Sequence, residues 1–144
     1  MNTLDYAQEQ LFDPLGISDV YWETDRNGIP NGGWGLELTS RDMAKFGYLF
    51  LQNGVWDGQQ IVPEAWVKDS TEPGREVTPE LDYGYQWWIF PDKNIFAAQG
   101  LAGQKIYVVP ALNMVVVFTA DLEYTEIELD LVEDWIIPAV HKPE

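Results

Sequence analysis

A change of period near Tyr83 constrains this 144-residue chain more than any other feature. Beyond it, "YGYQWWIF", "NIFAAQG", "GQKIYVVP" and "NMVVVFTA" follow one another as short runs, with "PDKN", "LA" and "PAL" between them. Runs rich in β-branched and aromatic residues, broken by turn residues, predict an antiparallel meander of three to four strands. "TEIELDLVEDWIIP" then predicts a closing amphipathic helix, with Thr125 and Glu128 at capping-box spacing and Pro138 as its end.

Ahead of Tyr83 the pattern is helical. Thr3 is placed to cap a helix over "LDYAQEQLF", whose Leu4, Ala7 and Leu11 share a face, and "DPLG" stops it. "SDVYWETDRNGIPNGGWG" predicts a long ordered loop pinned by Tyr21, Trp22 and Trp34. In "TSRDMAKFGYLFLQNG" Thr39 and Asp42 form a capping pair, Met43, Phe46, Phe50 and Leu51 an apolar stripe, and Gly54 a left-handed stop. "IVPEAWVKDST" places Pro63 in the first turn of a short helix, and "TEPGREVTPE" is expected to be a polar loop. Helices, then strands, then a helix imply an α+β fold.

With 46% hydrophobic and 14% aromatic residues, 144 residues suffice for one domain spanning 1–144. The 24 acidic residues against 8 basic ones repel phosphate backbones and anionic bilayers, so neither nucleic acid nor membrane is an expected partner. The absence of cysteine excludes disulfides, thiol nucleophiles and cysteine-based metal sites. No run approaches the roughly 20 apolar residues of a bilayer span, and "MNTLDYAQEQ" lacks the pattern of a signal peptide. Localisation stays open.

Chemistry is sparse in the residues themselves. The single histidine, His141, stands in the C-terminal tail, which argues against a Ser-His-Asp triad or a histidine metal site. The pairs Glu126/Asp130 and Glu128/Glu133 fall on or near the polar stripe of the last helix. "DRNGIPNGG" has the oxygen-rich make-up of a calcium loop but not the EF-hand spacing, and its residues are also ordinary turn formers. Trp22, Trp34, Trp56 and Trp66 are expected to be core anchors rather than a carbohydrate platform. Neither metal nor cofactor is expected.

Taken in order, "YAQEQLFDPLGISDVYW", "NGGWGLELTSRDMAKFGYLFLQNGVWDGQQIVPEAWV", "YGYQWW" and "GLAGQKIYVVPALNMVVVFTAD" resemble the C-terminal part of serine β-lactamase-like hydrolases. That family includes class C β-lactamases, D-Ala-D-Ala carboxypeptidases, family VIII esterases and 6-aminohexanoate-dimer hydrolases. The resemblance implies a partial β-lactamase/transpeptidase-like fold. It also implies acylation of a serine in Ser-x-x-Lys, aided by the tyrosine of Tyr-x-Asn, beside a third motif on a strand. Counting back from Pro110 sets Ala98-Gln99-Gly100 at the third motif and makes the Leu101 N–H an oxyanion donor. Ala98, Gln99 and Trp87 would line the substrate, and Gly100 would permit close backbone approach. Ala98 replaces the family's Lys, His or Trp, favouring neutral esters or amides over penicillin-type substrates.

Two family motifs are absent. Ser18, Ser40 and Ser70 are followed three residues later by Tyr21, Met43 and Pro73, and no Tyr-x-Asn occurs. The resemblance therefore implies a truncated, catalytically incomplete chain with a missing N-terminal half. In the family that half adds strands beside the last one, so "NMVVVFTA" is expected to be an apolar edge, buried by the last helix or paired in a homo-oligomer near Val115–Thr119. The alternative is a stand-alone interaction or oligomerisation module, with glycan binding as one form of it.

Overall fold

The computed structural model describes residues 2–121 and 127–140. The proposed cap at Thr125, the Glu126/Asp130 pair and His141 lie outside the described residues. The chain folds as two compact units, Met1–Lys68 and Asp69–Glu144.

The first unit opens with α1 (Thr3–Ala7), which widens into a π turn over Gln8–Phe12. Its cap is Asn2 rather than Thr3, because Asn2 keeps extended backbone angles while Thr3 is already helical. Asn2 Oδ1 accepts the Asp5 N–H at 2.8 Å, and Asp5 Oδ2 accepts the Asn2 N–H at 3.4 Å. Leu4, Ala7 and Leu11 share the expected face and pack on a core of Phe12, Leu15, Ile17 and Leu49.

In the long loop, β1 (Tyr21–Trp22) pairs with β2 (Leu36–Glu37). Trp22 anchors it by donating Nε1–H to the Asn31 carbonyl at 2.8 Å. Tyr21 and Trp34 are not pins: they are 59% and 68% exposed. Trp66, also expected inside, is 48% exposed, so helical or loop context alone does not decide which indoles are buried. The Asp25 carboxylate of "DRNGIPNGG" accepts the N–H groups of Asn27 and Ile29 at 2.8 and 2.9 Å, closing an Asx-type turn.

Helix α2 (Ser40–Leu51) is capped by Thr39 as its sequence predicts. It ends in a Schellman arrangement: Gly54 N–H reaches the Leu49 carbonyl and Asn53 N–H the Phe50 carbonyl, both residues having positive φ. Leu49, left out of the predicted stripe, is fully buried. A tight hairpin follows, β3 (Val55–Trp56) with β4 (Gln59–Gln60), turned by Asp57-Gly58 with φ of 47° and 77°. Pro63 sits just before α3 (Glu64–Thr71), where its carbonyl accepts the Trp66 and Val67 N–H groups.

The second unit is a six-stranded antiparallel meander in the order β10-β9-β8-β7-β6-β5. Its strands are β5 (Arg75–Thr78), β6 (Leu81–Tyr83), β7 (Trp88–Phe90), β8 (Ile95–Gln99), β9 (Lys105–Val109) and β10 (Met114–Phe118). Six replace the expected three to four. The supposed loop "TEPGREVTPE" contains β5, whose four exposed residues carry no apolar alternation to betray a strand. "YGYQWWIF" is broken after Tyr83, since a Cβ on Gly84 would lie 2.3 Å from the Ser70 carbonyl oxygen and Gln86 has φ of 67°. The turns "PDKN" and "PALN" are twins: Asn94 and Asn113 close them at φ of 50° and 48°.

The chain then forms one helical run: α4 (Ile127–Leu131), a π turn (Val132–Ile136) and α5 (Ile137–Val140). Pro138 does not end it. The Ile137 N–H bonds to the Val132 carbonyl five residues back, and the widened turn accommodates a ring that would clash in a regular α-helix. This run covers one sheet face, with Val132, Leu129 and Ile136 against Phe90, Ile95, Ala97, Tyr107 and Val109. Among the described residues strand β10 pairs only with β9, while Met114, Val116 and Phe118 pack under the helix. The edge expected there is thus half realised, with one face covered and the outer backbone at the sheet margin.

Candidate active site

The β8–β9 hairpin positions the residues singled out by sequence. Gln99 ends β8 opposite Lys105, and the Gly100 N–H donates to the Gln104 carbonyl at 2.7 Å, pinching the loop. A Cβ on Gly100 would meet Gln104 Cβ at 3.2 Å, which is the close approach that calls for glycine. Leu101 lies at the tip and is 90% exposed. Among the described residues its N–H answers no strand or turn carbonyl.

Among the described residues, six non-glycine ones have positive φ: Asn53, Asp57, Gln86, Asn94, Ala102 and Asn113. Asn and Asp tolerate this region, so Gln86 and Ala102 are the strained pair. One directly precedes Trp87 and the other directly follows Leu101. Backbone strain of this kind concentrates where function fixes geometry.

Alternation divides the remaining residues between two faces. Ala97 and Tyr107 pack under the last helix, so Ala98 turns to the opposite face together with Phe96. Trp87 belongs to that opposite face, edge-on to Phe96 with ring centroids 5.1 Å apart, and is only 2% exposed. Gln99 points the other way, where its Oε1 accepts from Lys105 Nζ at 3.0 Å. The structure therefore brings Ala98 and Trp87 to one face, with the Gly100–Leu101 turn at its end, and sets Gln99 on the helix-covered face.

Two residues not singled out by sequence hold this hairpin. Lys105 is 4% exposed and anchors Gln99. Gln104 Nε2 donates to the Ala120 carbonyl at 2.6 Å, tying the loop to the end of β10. The signal for Lys105 was a charge at a position of "KIYVV" that the period-two pattern assigns to the core face. On that face burial, reinforced by the negative charges of Glu128, Asp130 and Glu133, pushes the Tyr107 hydroxyl up to about 12. Glu128 is 1% exposed, and neither carboxylate oxygen has a hydrogen-bond partner among the described residues.

The serines complete the picture. Ser18 and Ser40 are exposed, Ser70 is 1% exposed, and none has a lysine three residues on. No three His, Asp or Glu side chains converge as a metal site among the described residues.

The antiparallel sheet covered by a C-terminal helix is of the β-lactamase and penicillin-binding-protein type, the fold of the solved structures it superposes on. The Beta-lactamase family profile matches residues 1–134, and the chain belongs to that family. It is 29% identical over 110 residues to the 6-aminohexanoate-dimer hydrolase of Paenarthrobacter ureafaciens, a match covering 69% of this chain and 28% of that protein. A Bacillus anthracis protein assigned as a 6-aminohexanoate-dimer hydrolase superposes with a TM-score of 0.83 at 29% identity, over 98% of this chain and 38% of the other. The octameric penicillin-binding protein homologue of Pyrococcus abyssi shares the fold, with a TM-score of 0.69 at 17% identity over 94% of this chain and 37% of its own. The chain thus spans well under half the length of these relatives.

Proposed function

We propose that this chain supplies the third-motif strand and one oxyanion donor of a serine hydrolase acting on neutral esters or amides, and that it is catalytically incomplete alone. The exposed Leu101 N–H, unanswered among the described residues and fixed between a pinched Gly100 and a strained Ala102, is the observation that carries the reading. In that reading a serine Oγ from another segment attacks the carbonyl carbon, and the carbonyl oxygen gathers negative charge as the tetrahedral intermediate forms. The Leu101 N–H donates to that oxygen, a contribution of about 3 kcal/mol to the barrier for one such donor. Ala98 presents no charge, which suits a neutral carbonyl substrate. The Ser-x-x-Lys and Tyr-x-Asn, which these 144 residues do not contain, would come from another segment.

Turnover of p-nitrophenyl butyrate tests this. The isolated chain is expected to hydrolyse it no faster than a variant with all three serines replaced by alanine. A serine-dependent rate above that background overturns the incompleteness.

A second reading, self-association, is favoured by β10, an apolar strand with one neighbour at the sheet margin. Residues Val115 to Thr119 would pair with a second copy. Light scattering is expected to give at least a dimer; a monomer whose β10 amides exchange freely contradicts it.

A further inference from the structure

On the helix side of the sheet, past the region the last helix covers, the cross-strand register lines up Arg75, Tyr83 and Trp88 on β5, β6 and β7. Together with Val77 and Glu76 they bound an open cleft of about 370 Å³ at the exposed edge strand. This is the opposite face from Ala98 and Trp87.

The lining is chemically asymmetric. Tyr83 and Trp88 meet edge-to-face with centroids 4.7 Å apart, forming an aromatic corner of indole and phenol. The Tyr83 hydroxyl donates to Gln86 Oε1 at 3.3 Å, which holds the ring in place. Arg75 stands at the end of this corner and forms no ion pair among the described residues, although the chain carries 24 carboxylates. Glu76, paired across the strands with Asp82, contributes only the rim on the other side of the strand.

We propose that this cleft binds small aromatic monocarboxylates. The ring lies in the Tyr83/Trp88 corner, where offset or edge contacts exclude water, and the carboxylate takes the paired N–H donors of the Arg75 guanidinium. Glu76 at the rim opposes a second negative charge, so a dicarboxylate binds worse than a monocarboxylate. The site is independent of any acyl-transfer role for the chain.

Isothermal titration of the full chain with 2-naphthoate, 2-naphthamide and 2,6-naphthalenedicarboxylate tests the proposal. Saturable one-to-one binding of 2-naphthoate is expected, with the neutral amide roughly tenfold weaker or more, the loss of one charge-assisted contact. Arg75→Gln is expected to lose the same factor, Arg75→Lys to lose part of it, and Arg41→Gln in the other unit to lose none. Arg75 is on an exposed edge strand, and an unchanged circular dichroism spectrum will certify that Arg75→Gln folds. Equal affinity for naphthoate and naphthamide, undiminished binding by Arg75→Gln, or no saturation with 2-naphthoate overturns the proposal.

Discussion

Replacing Glu128 by leucine should stabilise this protein, against the usual effect of a core substitution. Glu128 is 1% exposed and both its carboxylate oxygens lack hydrogen-bond partners among the described residues. An unsatisfied buried polar group costs about 1 to 3 kcal/mol, and more when it is charged. Even a buried ion pair, replaced by well-packed apolar residues of similar volume, is often neutral or gains about 1 to 4 kcal/mol. Against this stands the charge's favourable place in the first turn of α4, worth about 0.3 to 1 kcal/mol. The balance is a gain of about 1 to 3 kcal/mol for Glu128→Leu, with Glu128→Gln between the two. Urea unfolding followed by circular dichroism at neutral pH reads it as a higher midpoint at unchanged slope. Because the Glu128 charge also helps hold the Tyr107 hydroxyl up, the same substitution should lower the Tyr107 titration midpoint, read by absorbance at alkaline pH. A loss of stability above about 1 kcal/mol would refute the reasoning, since it would mean the carboxylate has a compensating partner.

Three further outcomes follow from the packing. Tyr107 is buried and its folded value of about 12 lies above the unfolded value of about 10, so its stabilising effect is complete below pH 10 and lost as pH rises through 12. At most about 3 kcal/mol is at stake, and Tyr107→Phe should flatten that alkaline decline in urea midpoints. Gly54→Ala should cost about 3 kcal/mol or more, because its Cβ would lie 1.9 Å from the Val62 carbonyl oxygen at a φ of 82°; a midpoint within error of wild type would contradict the Schellman geometry. Thr39→Ala should cost about 1 kcal/mol as a lost helix cap. It also removes the 2.6 Å hydroxyl bond that, after Lys45, holds the Asp42 carboxyl below its usual range. Asp42 stabilises above its unfolded value and loses that effect as pH falls, so the acid limb of a stability profile should be shallower in the variant.

The sequence revealed structure where local chemistry and burial agree. Thr39, Asp42 and Gly54 delimit α2 because capping and left-handed stops act within a few residues. β8, β9 and β10 were visible because their apolar runs are covered by the last helix. β5 was invisible for the converse reason: "REVT" is exposed throughout, and its pairing with β6 is a backbone matter without a side-chain pattern. Pro138 misled because a π turn, which no residue preference announces, lets the helix run on. At the candidate site, "AQGLAGQ" marked the turn, a short helical turn over Leu101–Gly103 that follows Gly100. The faces they serve depend on register: one step of alternation sends Gln99 to Lys105 and leaves Ala98 with Trp87. Strain at Gln86 and Ala102 is a property of φ alone and could not be read from residue types.

Intact-mass analysis after incubation with a fluorophosphonate probe tests most directly the claim that this chain holds an oxyanion wall without its nucleophile. The chain is expected to keep its unmodified mass under conditions that label a complete serine hydrolase to one adduct per molecule. Stoichiometric labelling at Ser18, Ser40 or Ser70 would contradict it.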